Sequence, residues 1–205
     1  MNKKSIIEEG EVTIARLETL TDGIFSIAMT LLVLDIHVPD LINSISSSEL
    51  SHQLILMWPR ILSFLISFII LGMFWVSHHT EFRFIKKLDN KLIWLNIFFL
   101  LFVSLLPFSA ALLGRYAFNQ TAIFVYGIQL IFLVLMQYFI WVHARRKPEL
   151  MEDSLHPRMG HLVNRLAFLA IMAYIMGMAL CFIKSPYYLN YLRPHSFALY
   201  FWLGI

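Results

Sequence analysis

Apolar residues in this chain come in long unbroken runs separated by short charged segments. Residues 61–80, 92–114, 116–142 and 166–183 contain no Lys, Arg, Asp or Glu. Each run is near or above the ~18 residues that a membrane-crossing helix needs. The opening run, 14–38, also reads as a span, although Arg16, Glu18 and Asp22 fall in its first half. The tail at 194–205 is apolar but only twelve residues long. At about 1.5 Å per residue it crosses roughly half a bilayer by itself, and it counts as a sixth span when joined to 187–192. The pattern predicts an all-α integral membrane protein with six helices at 14–38, 54–80, 90–114, 117–143, 161–184 and 190–205, in one domain over 1–205. Acidic residues at 8, 9 and 11 follow Lys3 and Lys4, which argues against a cleavable signal.

Composition supports the membrane reading. The chain is 59% hydrophobic and 14% charged, against roughly 25% charged residues in soluble domains. A single cysteine, Cys181, leaves no internal disulfide framework or cysteine metal cluster. A net charge of +3 raises the possibility of nucleic acid. The basic residues, however, lie in the segments between apolar runs, where they read as topology signals, so no nucleic acid partner is expected. Twelve Lys and Arg fall before or at the start of span 1 and in the 2–3 and 4–5 connections with the helix ends that adjoin them, against four on the other side. That asymmetry predicts a multi-pass protein of the cell membrane, surrounded by lipid, with a cytoplasmic N-terminus.

The charges in span 1 need an explanation, because a charge at mid-bilayer costs roughly 2.5–3.5 kcal/mol on insertion scales. At about 100° per residue, Gly23, Ile27, Thr30, Leu31 and Leu34 share one stripe, while Asp22, Ser26, Met29 and Val33 lie roughly opposite. Asp22 is therefore expected to point into its own bundle and to need donors there. Arg16, Trp75, His78, His79 and Asn96 all fall near the predicted cytoplasmic ends of spans 1 to 3. With Thr21 and Asp22 they form a candidate polar network holding span 1. His78 and His79 point about 100° apart, and Glu81 does not complete a His-Glu-x-x-His pattern, so no metal is expected. Trp58, Trp75, Trp94 and Trp141 fall near helix ends, as interfacial anchors do, and Pro107 predicts a kink in span 3.

"RLETLTDGIFSIAMTLLVLDI", "MFWVSHHTEF" and "LIWLNIFFLLFVSLLPFSAALL" resemble the first three helices of the lysosomal potassium channel family called transmembrane protein 175 and its bacterial homologues. That family carries Arg, three residues, then Phe-Ser-Asp; here Arg16 is followed by Leu20-Thr21-Asp22. The resemblance covers residues 14–115 closely, and the rest by hydropathy and length. It implies a homotetramer of six-helix subunits with helix 1 lining a central potassium pathway. It places Ile27, Leu31 and Leu34 on a hydrophobic constriction and Thr30 on a ring of hydroxyls. No Thr-Val-Gly-Tyr-Gly carbonyl filter is present, so side chains would form the narrow part. The resemblance implies potassium as the permeant ion; no cofactor and no enzymatic activity are expected.

Other readings stay open on the residues alone. Ile27, Leu31 and Leu34 are ordinary membrane-helix residues, and Thr30 can return its hydroxyl to the Ser26 carbonyl. Arg16 and Asp22 can serve as a pair fixing helix 1 against its neighbours. A proton-coupled transporter would use buried Asp22 with His78 or His79 as a relay, though no inverted repeat is visible. A membrane enzyme would need a nucleophile–base arrangement, and only the histidine pair hints at one.

Overall fold

The computed structural model describes residues 12–37, 47–117, 119–152 and 157–191. Six α-helices occupy them: α1 (Ile14–Leu31), α2 (Ser47–Leu56), α3 (Trp58–Phe82), α4 (Asn90–Arg115), α5 (Gln120–Arg145) and α6 (Pro157–Tyr191). Five helical segments are long and apolar enough to cross a membrane: Ile14–Asp35, Trp58–Phe82, Asn90–Arg115, Gln120–Arg145 and Leu162–Leu180. The described residues are all-helical, and the chain is a multi-pass membrane protein. Of the segment expected to form a sixth span, 190–205, everything past Tyr191 lies outside the described residues, as do residues 1–11 and 38–46.

Local chemistry sets the helix ends. Thr13, Asp89 and Asn119 are extended N-caps whose side chains accept from the amides of Arg16, Leu92 and Thr121 at 3.3, 2.8 and 2.8 Å. Pro59 sits in the first turn of α3, where its missing N–H has no intrahelical role. α1 does not continue as an α-helix to residue 38. It tightens into a 3₁₀ turn at Leu32–Asp35.

Helix α4 is the hub of the bundle. It packs against α1, α3 and α5, and α6 lies on α5. Leu92, Asn96, Phe99, Val103, Leu106 and Ala110 of α4 are buried at spacings of three and four, the seam expected for helices packed side by side. In lipid the apolar faces gain little from burial against each other, so close approach and interhelical hydrogen bonds matter more. A Cβ on Gly127 would meet Met178 Sδ at 2.6 Å, and one on Gly114 would meet Arg60 Cα at 3.1 Å. Ser63 Oγ donates to the Ala110 carbonyl at 2.7 Å, and the hydroxyls of Ser67 and Tyr126 share a 2.9 Å bond. Gln129 donates to the Phe102 carbonyl, next to the Val103 carbonyl that Pro107 leaves without its usual amide.

The α3–α4 loop meets the segment after α5 at one end of the bundle. The Lys86 amide donates to the Leu150 carbonyl, and the Glu152 amide to the Phe84 carbonyl, both at 2.8 Å. Asp89 accepts there from Lys147 Nζ at 2.8 Å and contacts His143 Nε2 at 2.9 Å. Partial burial pushes the Asp89 carboxyl up. Lys147, the Leu92 amide and His143 outweigh that and hold it well below the usual carboxylate range. At the opposite end, Arg115 lies 3.9 Å from Asp35. Two of the Lys- and Arg-rich segments thus share one end of the molecule.

Trp141 departs from expectation. It is 1% exposed and packs in the core, with the Arg145 guanidinium 5.9 Å above its ring. It is therefore not an interfacial anchor, because its position on α5 faces the bundle. Trp58 and Trp94, in contrast, are at least half exposed.

Candidate functional site

The site is built on α1, and it begins with which face of that helix packs. Leu17, Thr21, Phe25, Ala28 and Leu32 are buried against α3 and α4. They recur at three and four residues and occupy one narrow arc of the helix. Gly23, Ile27, Thr30, Leu31 and Leu34 lie across the helix from that arc and are exposed. Ile27 is 60% exposed and Leu34 64%, values that leave both free to face another chain or a pathway. The 3₁₀ turn changes the phase of Leu34. In 3₁₀ geometry residues i and i+3 eclipse, so Leu34 stacks over Leu31. Ile27, Leu31 and Leu34 then stand at levels about 6 Å apart along the axis.

Thr30 Oγ1 donates to its own helix, to the carbonyls of Ser26 at 3.0 Å and Ile27 at 2.9 Å. The hydroxyl proton is committed to the backbone. The oxygen lone pairs remain on the exposed face, where they can accept or approach a cation.

The polar residues of the first half of α1 fall into two separate rungs. The inner rung is fully buried. His78 Nε2 lies 2.7 Å from Asn96 Oδ1, and Asn96 Nδ2 donates to Thr21 Oγ1 at 3.2 Å. Thr21 Oγ1 in turn donates to the Leu17 carbonyl at 2.9 Å. An amide oxygen only accepts, so His78 carries its proton on Nε2. The rung is a one-way chain of donors ending on the backbone. The His78 ring is stacked between Phe82 and Phe99, with centroids 4.1 and 5.3 Å away.

The outer rung is exposed on the subunit. Trp75 Nε1 donates to Asp22 Oδ1 at 2.8 Å, and His79 stacks on Trp75 one turn further along α3, centroids 5.8 Å apart. Asp22 does not point into the bundle as expected: it follows Thr21 by one residue, about 100° around the helix, and so sits at the edge of the packing face. Arg16 is exposed and makes no ion pair with Asp22. Of the expected donors, only Trp75 reaches the carboxylate.

Sequence reasoning gave no role to Gln137, and considered Glu81 only for a zinc pattern. Gln137 Nε2 donates to Glu81 Oε1 at 3.1 Å in a buried contact between α3 and α5. A Gln within an apolar run was the one available signal. Among the described residues, no group of three or more His, Cys, Asp or Glu is placed to hold a metal.

Comparison with known proteins decides the family. Residues 16–107 match the model of the endosomal/lysosomal potassium channel TMEM175 family. A potassium channel of Chamaesiphon minutus is 31% identical over 172 residues, covering 82% of this chain and 84% of that one. The chain belongs to the TMEM175 family. A potassium channel of Streptomyces collinus is 29% identical over 83% of this chain and 84% of its own length. The crystal structure of a lysosomal potassium-selective channel TMEM175 homologue from Chamaesiphon minutus superposes with a TM-score of 0.68 at 30% identity, covering 83% of this chain and 87% of that one. The human endosomal/lysosomal proton channel TMEM175 is 34% identical over 114 residues, 53% of this chain and 21% of that protein. The α1 rungs and the exposed stripe both fall within the segment that matches the TMEM175 family model.

Proposed function

We infer that this TMEM175-family protein is a potassium channel of the cell membrane, with a cytoplasmic N-terminus and with α1 innermost in a homotetramer. Ile27, Leu31 and Leu34 form its hydrophobic constriction, and Thr30 supplies a ring of hydroxyls. The observation that carries this reading is the position of the stripe, which is exposed and lies opposite the face by which α1 packs on α3 and α4. Four copies around an axis would bring those side chains together, and rings of large aliphatic groups can close a pore by dewetting. Thr30 presents lone pairs on the same face, just below Leu31. Four hydroxyls replace only part of an ion's hydration shell, so preference for potassium over sodium should be modest.

The proton-coupled alternative gains less support. It needs Asp22 in one relay with His78 or His79; His78 belongs to the other rung, and His79 stacks on Trp75, the residue that holds Asp22, whose indole N–H only donates. The inner rung ends on the Leu17 carbonyl, which cannot pass a proton on.

The test is flux in proteoliposomes, with assembly checked by native mass measurement. Ile27→Asn should rewet the ring and raise basal potassium flux several-fold, with the tetramer intact. Flux that requires a proton gradient would point to the transporter. A monomer or dimer in mild detergent and in lipid would sink the single-axis pore.

A further inference from the structure

A second site lies away from α1. A cavity of about 470 Å³ opens between α3, α5 and α6, within the 300–1,000 Å³ range of small-molecule pockets. Ile70, Phe74, Val134, Ala167, Ala170 and Tyr174 are among the residues of its apolar wall. Glu81 stands at one end of it, 5% exposed. Its Oε1 accepts from Gln137, and the Ser77 hydroxyl one turn back also lies near the carboxyl, but Oε2 has no well-formed hydrogen bond among the described residues. A carboxyl oxygen left unpaired in an apolar site is costly, and native proteins keep such groups where a partner is to be met. The depth is informative too. Glu81 is the second-to-last residue of α3, at the level where headgroups meet the end of a span. From Glu81 the wall runs back to Ile70, about 16 Å along the helix, or roughly half the hydrocarbon core of a bilayer. One end of the cavity is acidic and the rest takes a chain.

We propose that the cavity between α3, α5 and α6 binds a long-chain alkylammonium amphiphile, its amine on Glu81 and its chain along the apolar wall. The ammonium donates to the free Oε2 and supplies the charge that the site lacks. Gln137 fixes the other carboxyl oxygen; Oε2 is itself buried, so the carboxyl turns toward the cavity as the amine enters. This site is separate from the α1 stripe and does not depend on the pore reading.

The test uses the full-length protein in phosphatidylcholine nanodiscs and two photoreactive probes of equal chain length: a diazirine-bearing dodecylamine and the corresponding dodecanol. Cross-linked peptides are mapped by mass spectrometry. The amine should label the walls of α3, α5 and α6 saturably, and about tenfold more than the alcohol at equal concentration. Glu81→Gln should lower amine labelling about tenfold or more, as expected when one partner of a buried charge pair is removed. Ala170→Trp fills the cavity and leaves Glu81 in place; it should abolish labelling, and it tests the site even if the Glu81 variant assembles poorly. Equal labelling by amine and alcohol would show a lipid tail without headgroup recognition and overturn the proposal. So would full labelling of Glu81→Gln, or none on the wild-type protein, as when a neighbouring subunit fills the cavity.

Discussion

The two halves of α1 solve opposite problems with the same helix. In the first half, Thr21 is buried in a closed chain of hydrogen bonds, and Asp22 is tied to Trp75 at the margin. In the second half, Ile27, Leu31 and Leu34 touch little of their own subunit and stay exposed. One half uses polar groups for position. The other leaves apolar groups unpacked, which in a lipid-embedded subunit carries little penalty and keeps that face free. The difference teaches that polarity within a membrane span need not mark the route of the ion. In the proposed channel the polar residues of the first half anchor the helix, and an apolar stripe interrupted only by Thr30 faces the pathway.

The largest effect should come from cutting the inner rung. Asn96→Ala leaves the His78 N–H without an acceptor and Thr21 without its donor. The orphaned His78 N–H costs about 1–3 kcal/mol, while Thr21 keeps its bond to the Leu17 carbonyl. Loss of folded, assembled protein in size-exclusion and thermal-unfolding measurements is expected. If Asn96→Ala unfolds like wild type, the buried rung does not anchor α1.

Asp22→Ala should cost less, about 1 kcal/mol, because the carboxylate is exposed on the subunit and loses a single bond to Trp75. A melting shift as large as that of Asn96→Ala would mean that assembly buries Asp22. The contrast between the rungs would then vanish.

Thr30→Val probes the other half. It keeps the side-chain shape and removes the hydroxyl. The expected result is a smaller potassium-to-sodium permeability ratio in bilayer recordings, with assembly unchanged. An unaltered reversal potential under bi-ionic conditions would reduce Thr30 to a helix-bonded hydroxyl, and selectivity would have to come from the aliphatic rings alone.

The smallest effect concerns the end of the bundle near Asp89. Its carboxyl is held below the usual range, so it is more acidic in the folded than in the unfolded chain. The stability it contributes is fully present above about pH 4, the ordinary carboxylate value, and is lost as pH falls toward the folded value. Lys147 is 43% exposed, so solvent screening keeps this contribution small. Melting temperature measured from pH 6 down to pH 3 should fall less steeply for Asp89→Asn than for wild type. Parallel curves would show that the cluster does not stabilise the fold.

Hydropathy and periodicity carried the sequence a long way. Unbroken apolar runs determine that the chain is helical and crosses a membrane, because lipid offers the backbone no other hydrogen-bond partners. A 100° period determines that Ile27, Thr30 and Leu31 share one face, since that depends only on helix geometry; Leu34 reaches it through the 3₁₀ turn. Tertiary structure decided which polar groups meet. Asn96 and Thr21 are 75 residues apart, and no local rule shows that Asn96 chooses Thr21 and His78 while Asp22 is left to Trp75. It also decided that Trp141 is buried, and that Glu81 meets Gln137 across 56 residues at the end of a cavity. A one-dimensional pattern gives the face of each helix. The rotation and depth at which two faces dock come from side-chain packing, and only that fixes which donor finds which acceptor.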